Sequence, residues 1–208
     1  MLFSSTYKMI DSSCECLYKA KGSKFFAYAW PVKNEAEIKI HLNGLKEKYP
    51  DASHHCFAWI LGHDKQNFRA NDDGEPSSTA GKPILRQIQK LDLCNILVVV
   101  VRYFGGTMLG VPGLIEAYGN TAAECLAQSS ITEYPILEKY TVSCPFGMEN
   151  EVFKSCKQFQ ASLSVMAEQS CFSAEIKIPL HKAGEFKTHL SLKYQINIEY
   201  KGIEWLKN

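Results

Sequence analysis

Ten residues, Asn95–Phe104 (NILVVVVRYF), constrain this chain more than any others. β-branched side chains favour the extended backbone. A strand with one solvated face would alternate apolar and polar residues, whereas Ile96–Val101 within this run is apolar without interruption, the pattern of a strand covered on both faces. Its aliphatic core, Ile96–Val101, is far shorter than the roughly 20 residues that span a bilayer. The run therefore predicts a layered domain with a central buried strand. Immediately after it comes Gly105–Gly113, in which positions 105, 106, 110 and 113 are glycine, and then an apolar helical pattern over Leu114–Gln128.

The surrounding segments fit such a domain. Leu17–Val32 reads as a strand pair broken at Gly22. Asn34 suits a helix N-cap, and Ile38, Leu42, Leu45 and Tyr49 follow at helical spacing until Pro50. His55–Leu61 and Asn67–Ala70 read as strands joined by the polar turn Gly62–Gln66. Pro83 can open a helix with Ile84, Leu85, Ile88 and Leu91 on its apolar face.

At 208 residues the chain has room for one large domain or two small ones. Its character changes near Glu133–Pro135. Beyond that point Tyr140–Cys144 alternates, Val152–Phe159 is helical, and Leu163–Ala167 and Phe172–Leu180 alternate. Ala183–Tyr194 is helical again and Ile196–Tyr200 alternates. That order is β-α-β-β-α-β, the split ferredoxin-like arrangement. The expectation is an α+β protein of two domains, residues 1–135 and 136–208.

Lys plus Arg number 23 against 22 for Asp plus Glu, a formal charge of +1. Sequence-independent nucleic-acid binding needs many cationic phosphate contacts, so a polyelectrolyte binder is excluded. Only Arg69, Arg86 and Arg102 are arginines. The N-terminal segment has no apolar core behind a basic start, as a signal peptide would. The cysteines, at 14, 16, 56, 94, 125, 144, 156 and 171, form no Cys-x-x-Cys, and several lie within apolar patterns. A reduced, cytoplasmic protein that folds without metal or other cofactor is expected.

Two loops hold most of the unusual residues. Asp72–Leu85 (DDGEPSSTAGKPIL) is rich in carboxylates and hydroxyls and ends at a helix N-terminus, where backbone N–H groups and the dipole favour an anion. Six residues separate Gly74 from Gly81 and Pro83 stands where a magnesium-binding hydroxyl belongs, so it is not a Walker loop. Arg102–Leu114 (RYFGGTMLGVPGL) lies at a strand end, where glycines admit a close approach and ligands favour the crevice. Arg102, Tyr103 and Phe104 suit phosphate contact and stacking. Arg102 could equally pair with Asp72, Asp73 or Glu75 and tie the loops together. His54 and His55 would point to opposite sheet faces, giving no convergent metal set. The candidate binding residues are His54, Asp72, Asp73, Gly74, Glu75, Ser77, Thr79, Gly81, Arg102, Tyr103, Phe104, Gly105, Gly106 and Gly110. No catalytic residue and no metal ligand is assigned.

SKFFAYAWPV (Ser23–Val32), the HHCFAW segment at His54, DDGEPSSTAGKPIL and VVVVRYFGGTMLGVPGLIEAYG (Val98–Gly119) resemble the IMPACT family, and within it the bacterial YigZ-type members. The family pattern usually has Gly where Ser78 stands and Ala-Gly at Val111-Pro112. The resemblance implies an N-terminal domain similar to those of a ribosomal protein and a translocation elongation factor, followed by a ferredoxin-like domain. It also implies kinship with eukaryotic proteins that regulate translation by binding an activator of a stress-response kinase. The leading expectation is a non-enzymatic translation-associated protein binding RNA, ribosome or a protein partner through the paired loops. One rival is an enzyme acting on a phosphorylated or nucleotide substrate, with Asp72, Asp73 or Glu75 as base or magnesium ligand. The other is a pure protein-interaction module.

Overall fold

The computed structural model describes residues 5–168 and 170–204; the first four residues of the N-terminal segment lie outside them. The described residues divide into two compact units, Tyr7–Glu133 and a smaller one from Tyr134 onward together with Ser5 and Thr6. In chain order the elements up to residue 135 are β1 (Thr6–Ile10), β2 (Cys14–Ala20), β3 (Ser23–Pro31), α1 (Glu35–Lys48), β4 (His54–Leu61), β5 (Asn67–Asn71), α2 (Gly81–Lys90), β6 (Ile96–Tyr103), α3 (Gly110–Leu126) and β7 (Ile131–Pro135).

The larger unit is built on a five-stranded sheet of order β2-β3-β6-β4-β5. β6 lies at its centre, antiparallel to both β3 and β4. Ile96 through Val101 have no measurable exposure. The uninterrupted apolar run thus reflects coverage of both faces by helices, in an antiparallel sheet rather than a parallel one. Each buried valine contributes roughly 1.5–3 kcal/mol relative to an exposed one. Leu97, Val99 and Val101 pack with Tyr28 and Trp59 against Ile38 and Leu45 of α1. By alternation Val98, Val100 and Arg102 point to the opposite face, towards α2 and α3. α1 starts where Asn34 accepts the Glu37 backbone N–H at 3.0 Å. The Glu37 carboxylate accepts the Lys33 N–H in return, close to a capping box.

α3 begins at Gly110, four residues earlier than its apolar periodicity suggests, so part of the expected glycine loop is helical. Pro112 explains the extension, because a first helical turn needs no N–H from it and its φ is already helical. β1 and β7, which no alternating pattern marked, pair as a two-stranded sheet.

The smaller unit contains β8 (Leu137–Cys144), α4 (Glu149–Phe159), β9 (Ser162–Met166), β10 (Phe172–Pro179), α5 (Leu180–Ser191) and β11 (Asn197–Glu204). The sheet order β11-β8-β10-β9 is that of a ferredoxin-like fold, as the β-α-β-β-α-β pattern implies. Tyr140, Val142, Ile176 and Ile178 pack on Val152, Cys156, Phe186 and Leu190 of the two helices. The protein is α+β throughout. Among the described residues no helix is long and apolar enough to cross a membrane.

Candidate functional site

The two unusual loops meet at the end of β6. Arg102 is 5% exposed and Glu75 8%, and Arg102 Nη1 donates to Glu75 Oε1 at 2.5 Å. Tyr118 Oη donates to the same oxygen at 2.7 Å. Burial first, with Cys56 and Glu75 adding to it, pushes the Tyr118 hydroxyl well above its ordinary range and keeps it a donor. The guanidinium lies 5.5 Å from the Phe25 ring and 5.6 Å from the Phe104 ring, in cation–π range of both. Arg102 Nη2 reaches Ser23 Oγ at 3.5 Å, and Ser23 Oγ accepts the Gly105 N–H at 3.2 Å. Arg102 Nε is buried with no hydrogen-bond partner.

The first loop satisfies itself. The Asp72 carboxylate accepts backbone N–H groups from Ser78 at 2.8 Å, Ala80 at 3.0 Å and Gly81 at 2.8 Å. The helix N-terminus read as a place for an anion therefore already holds one, supplied by the chain itself. Gly81 must be glycine for this, since a Cβ there would lie 2.5 Å from Asn71 N. Asp73 Oδ2 accepts the His55 N–H at 2.7 Å, and its carbonyl lies 2.7 Å from His54 Nδ1. His54 Nε2 comes within 3.8 Å of Glu75. Thr79 is buried, its Oγ1 donating to the Pro76 carbonyl at 2.6 Å, while Ser77 is exposed. Gly74 packs by the His54 ring.

The second loop is held by a close backbone contact. A Cβ on Gly105 would sit 2.0 Å from the Gly22 carbonyl carbon, so the β2–β3 turn and the loop after β6 touch only through glycine. Gly106 and Gly110 are exposed. Tyr103 does not join Arg102. It alternates to the α1 face and packs edge-on against Phe26 and Tyr49, centroids 6.1 and 6.3 Å apart. The expected arginine-aromatic-aromatic surface is thus reduced to Arg102 and Phe104.

The site's remaining partners, Ser23, Phe25, Cys56 and Tyr118, lie outside the two loops. Tyr118 had a sequence signal: Leu114, Tyr118, Thr121 and Cys125 recur at helical spacing and are all buried. Cys56 Sγ lies 3.0 Å from the Asp72 carbonyl and 3.3 Å from Tyr118 Oη. Burial pushes its thiol well up, so it is no thiolate nucleophile. With Arg102 and Glu75 paired to each other, the most exposed side chains beside them are apolar. Phe104 (51% exposed), Met108 (87%) and Val111 (51%) edge a cleft of about 320 Å³ that Pro76, Leu109 and Leu114 also line, with the Arg102–Glu75 pair in its wall.

A family model, the Impact N-terminal domain, matches residues 21–126, which contain both loops. The chain belongs to the IMPACT family. It is similar to the IMPACT family member YigZ of Escherichia coli, 32% identical over 173 residues, 82% of this chain and 85% of that protein. YvyE of Bacillus subtilis is 36% identical over 137 residues, 64% of this chain and 63% of the relative. Protein IMPACT of Homo sapiens is 32% identical over 116 residues, 54% of this chain but only 36% of that protein. A crystal structure of a hypothetical protein superposes on 97% of this chain and 98% of its own, with TM-score 0.68 and 27% identity. Within the residues that the family model matches, Ser78 has φ +67°, a left-handed backbone that glycine adopts freely and other residues only with strain.

Proposed function

We propose that this IMPACT family member is a non-enzymatic, cytoplasmic, translation-associated protein that engages a protein partner through the surface of its paired loops. The apolar rim of Phe104, Met108 and Val111 carries the reading, since it is what remains exposed once Asp72, Asp73, Glu75 and Arg102 are paired within the chain. Family membership supports the link to translation. The near-zero net charge favours protein over free RNA, whose binding would draw on many phosphate contacts. Among the family's settings, a ribosomal protein or a translation factor is the partner class that fits.

Density-gradient sedimentation of a cell lysate tests this. The protein should co-migrate with ribosomal particles, and Met108→Asp with Val111→Asp should return it to the top of the gradient with unchanged melting temperature. Ile40→Asp, an exposed apolar position on α1, should leave sedimentation alone. Association abolished by nuclease and steeply by salt would move the reading to RNA. Specific thermal stabilisation by a nucleotide or sugar phosphate would favour an enzyme instead.

A further inference from the structure

Three cysteines far apart in sequence meet on one face of the larger unit. Cys14 and Cys16 are two residues apart on β2, opposite Ala29 and Ala27 of β3, so both side chains point to the same face. Cys125, in the last turn of α3, lies over them. Its Sγ is 3.6 Å from Cys14 Sγ and 3.5 Å from the Cys14 carbonyl, while Cys16 Sγ donates to the Thr121 carbonyl at 3.4 Å. All three are free thiols. β2 is an edge strand, which leaves Cys14 and Cys16 partly exposed, whereas Cys125 is wholly buried.

We propose that Cys14 and Cys125 form a peroxide-responsive pair in which Cys14 is the attacking thiolate and Cys125 the resolving thiol. The geometry separates the roles: a small oxidant reaches the partly exposed Cys14 from solvent, and Cys14 Sγ stands 3.6 Å from the buried Cys125 Sγ, while Cys16 Sγ is turned to the Thr121 carbonyl. The hydrogen bond with Cys125 holds Cys14 below its ordinary range, against burial and helped by Ser129. Cys125 is pushed in the opposite direction, by its bonds to Cys14 and Cys16 and by burial, and keeps its proton until Cys14 has been oxidised. Cys16 is held down as well, by its hydrogen bond with Cys125 and against burial, whereas the cysteines outside this cluster are pushed up: Cys56, Cys94, Cys144 and Cys156 by burial, Cys171 by Glu168. A partly exposed thiol of lowered pKa beside a second thiol is the arrangement of redox-sensing cysteines.

The Cys14 thiolate attacks one oxygen of hydrogen peroxide. The O–O bond breaks, hydroxide leaves, and Cys14 becomes a sulfenic acid. The Cys125 sulfur then attacks the Cys14 sulfur and displaces the hydroxyl group, which departs as water with the Cys125 proton. Overall two thiols lose two electrons and two protons, one peroxide becomes two waters, and β2 is tied covalently to α3. A small-molecule thiol reverses the change by exchange.

The full chain, exposed to a few equivalents of hydrogen peroxide, alkylated and digested, tests the assignment. A Cys14–Cys125 cross-linked peptide should appear, two titratable thiols should vanish, and the melting temperature should rise by several degrees because the bridge closes a long loop. In Cys125→Ser, which keeps a hydrogen-bond donor beside Cys14 but cannot resolve the sulfenic acid, dimedone should label Cys14, and in Cys14→Ala, Cys125 should stay unmodified. A Cys14–Cys16 bridge, oxidation first at Cys171, or an unchanged thiol count in the wild-type protein would overturn the proposal. The wild-type thiol count decides even if a variant fails to fold.

Discussion

Arg102 and Glu75 form a buried ion pair, Nη1 to Oε1 at 2.5 Å, that fastens the end of the central strand to the carboxylate-rich loop. Tyr118 donates to the same carboxylate oxygen, so strand, loop and α3 share one acceptor. Of the acidic residues that could have paired with Arg102, Asp72 and Asp73 are instead spent on backbone N–H groups. The arginine is thereby an internal strut, beside which Phe104, Met108 and Val111 stay exposed.

Removing one member of that pair should be costly. Glu75→Ala is expected to destabilise the protein by about 3–5 kcal/mol, because Arg102 would stay buried without a counter-charge. Adding Arg102→Met should recover much of the loss. Urea unfolding measures both, and a loss below about 1 kcal/mol for Glu75→Ala would show that the pair is not the strut described.

Neighbouring glycines should respond very differently to a methyl group. Gly105→Ala forces a Cβ into the Gly22 backbone and is expected to abolish stable folding or cost more than about 3 kcal/mol. Gly106 has φ +82° and open space around it, so Gly106→Ala should cost only about 1–2 kcal/mol. Soluble yield and thermal melting of the two variants check the ranking; equal effects would contradict it.

Ser78→Gly should be stabilising, by about 0.5–1 kcal/mol. Ser78 occupies the left-handed region, and its N–H bond to Asp72 does not depend on the side chain. The gain should appear as a shift in denaturation midpoint at constant slope.

Stability should rise with pH across the histidine range. Burial pushes His55 below its ordinary value, against the pull of Asp73, and burial does the same to His41 against Glu37. The unfolded chain then binds more protons than the folded one below about pH 6.5, so stability is full above that pH and falls as pH drops towards the folded values. His55→Gln should flatten the dependence in part, leaving the His41 share. Denaturation midpoints measured from about pH 5 to 7.5 read it, and an identical slope in the variant would remove His55 from the account.

The smaller unit should fold alone. A fragment beginning at Tyr134 is expected to unfold in one cooperative transition, because its two helices and four-stranded sheet close their own core. A molten or insoluble fragment would show that the core is not self-sufficient.

Much of this was legible before any coordinates. The β-branched run at Ile96–Val101 reports burial on both faces, Asn34 marks a helix start, and the alternating and helical segments after Ile136 spell out a ferredoxin-like order. Each is a local property: burial and backbone hydrogen bonding repeat every two or 3.6 residues along a strand or helix, and that periodicity is written into neighbouring residues. The two loops were visible as motifs for the same reason. What the tertiary structure decided is which groups those motifs bring together. Glu75 rather than Asp72 takes Arg102, Tyr103 turns away from Arg102 to the α1 face, and Tyr118 and Ser23 enter the site from other elements. Cys14 meets Cys125 across 111 residues of chain. Such pairings depend on sheet register and on the seating of helices over it, so no short-range pattern in the chain records them.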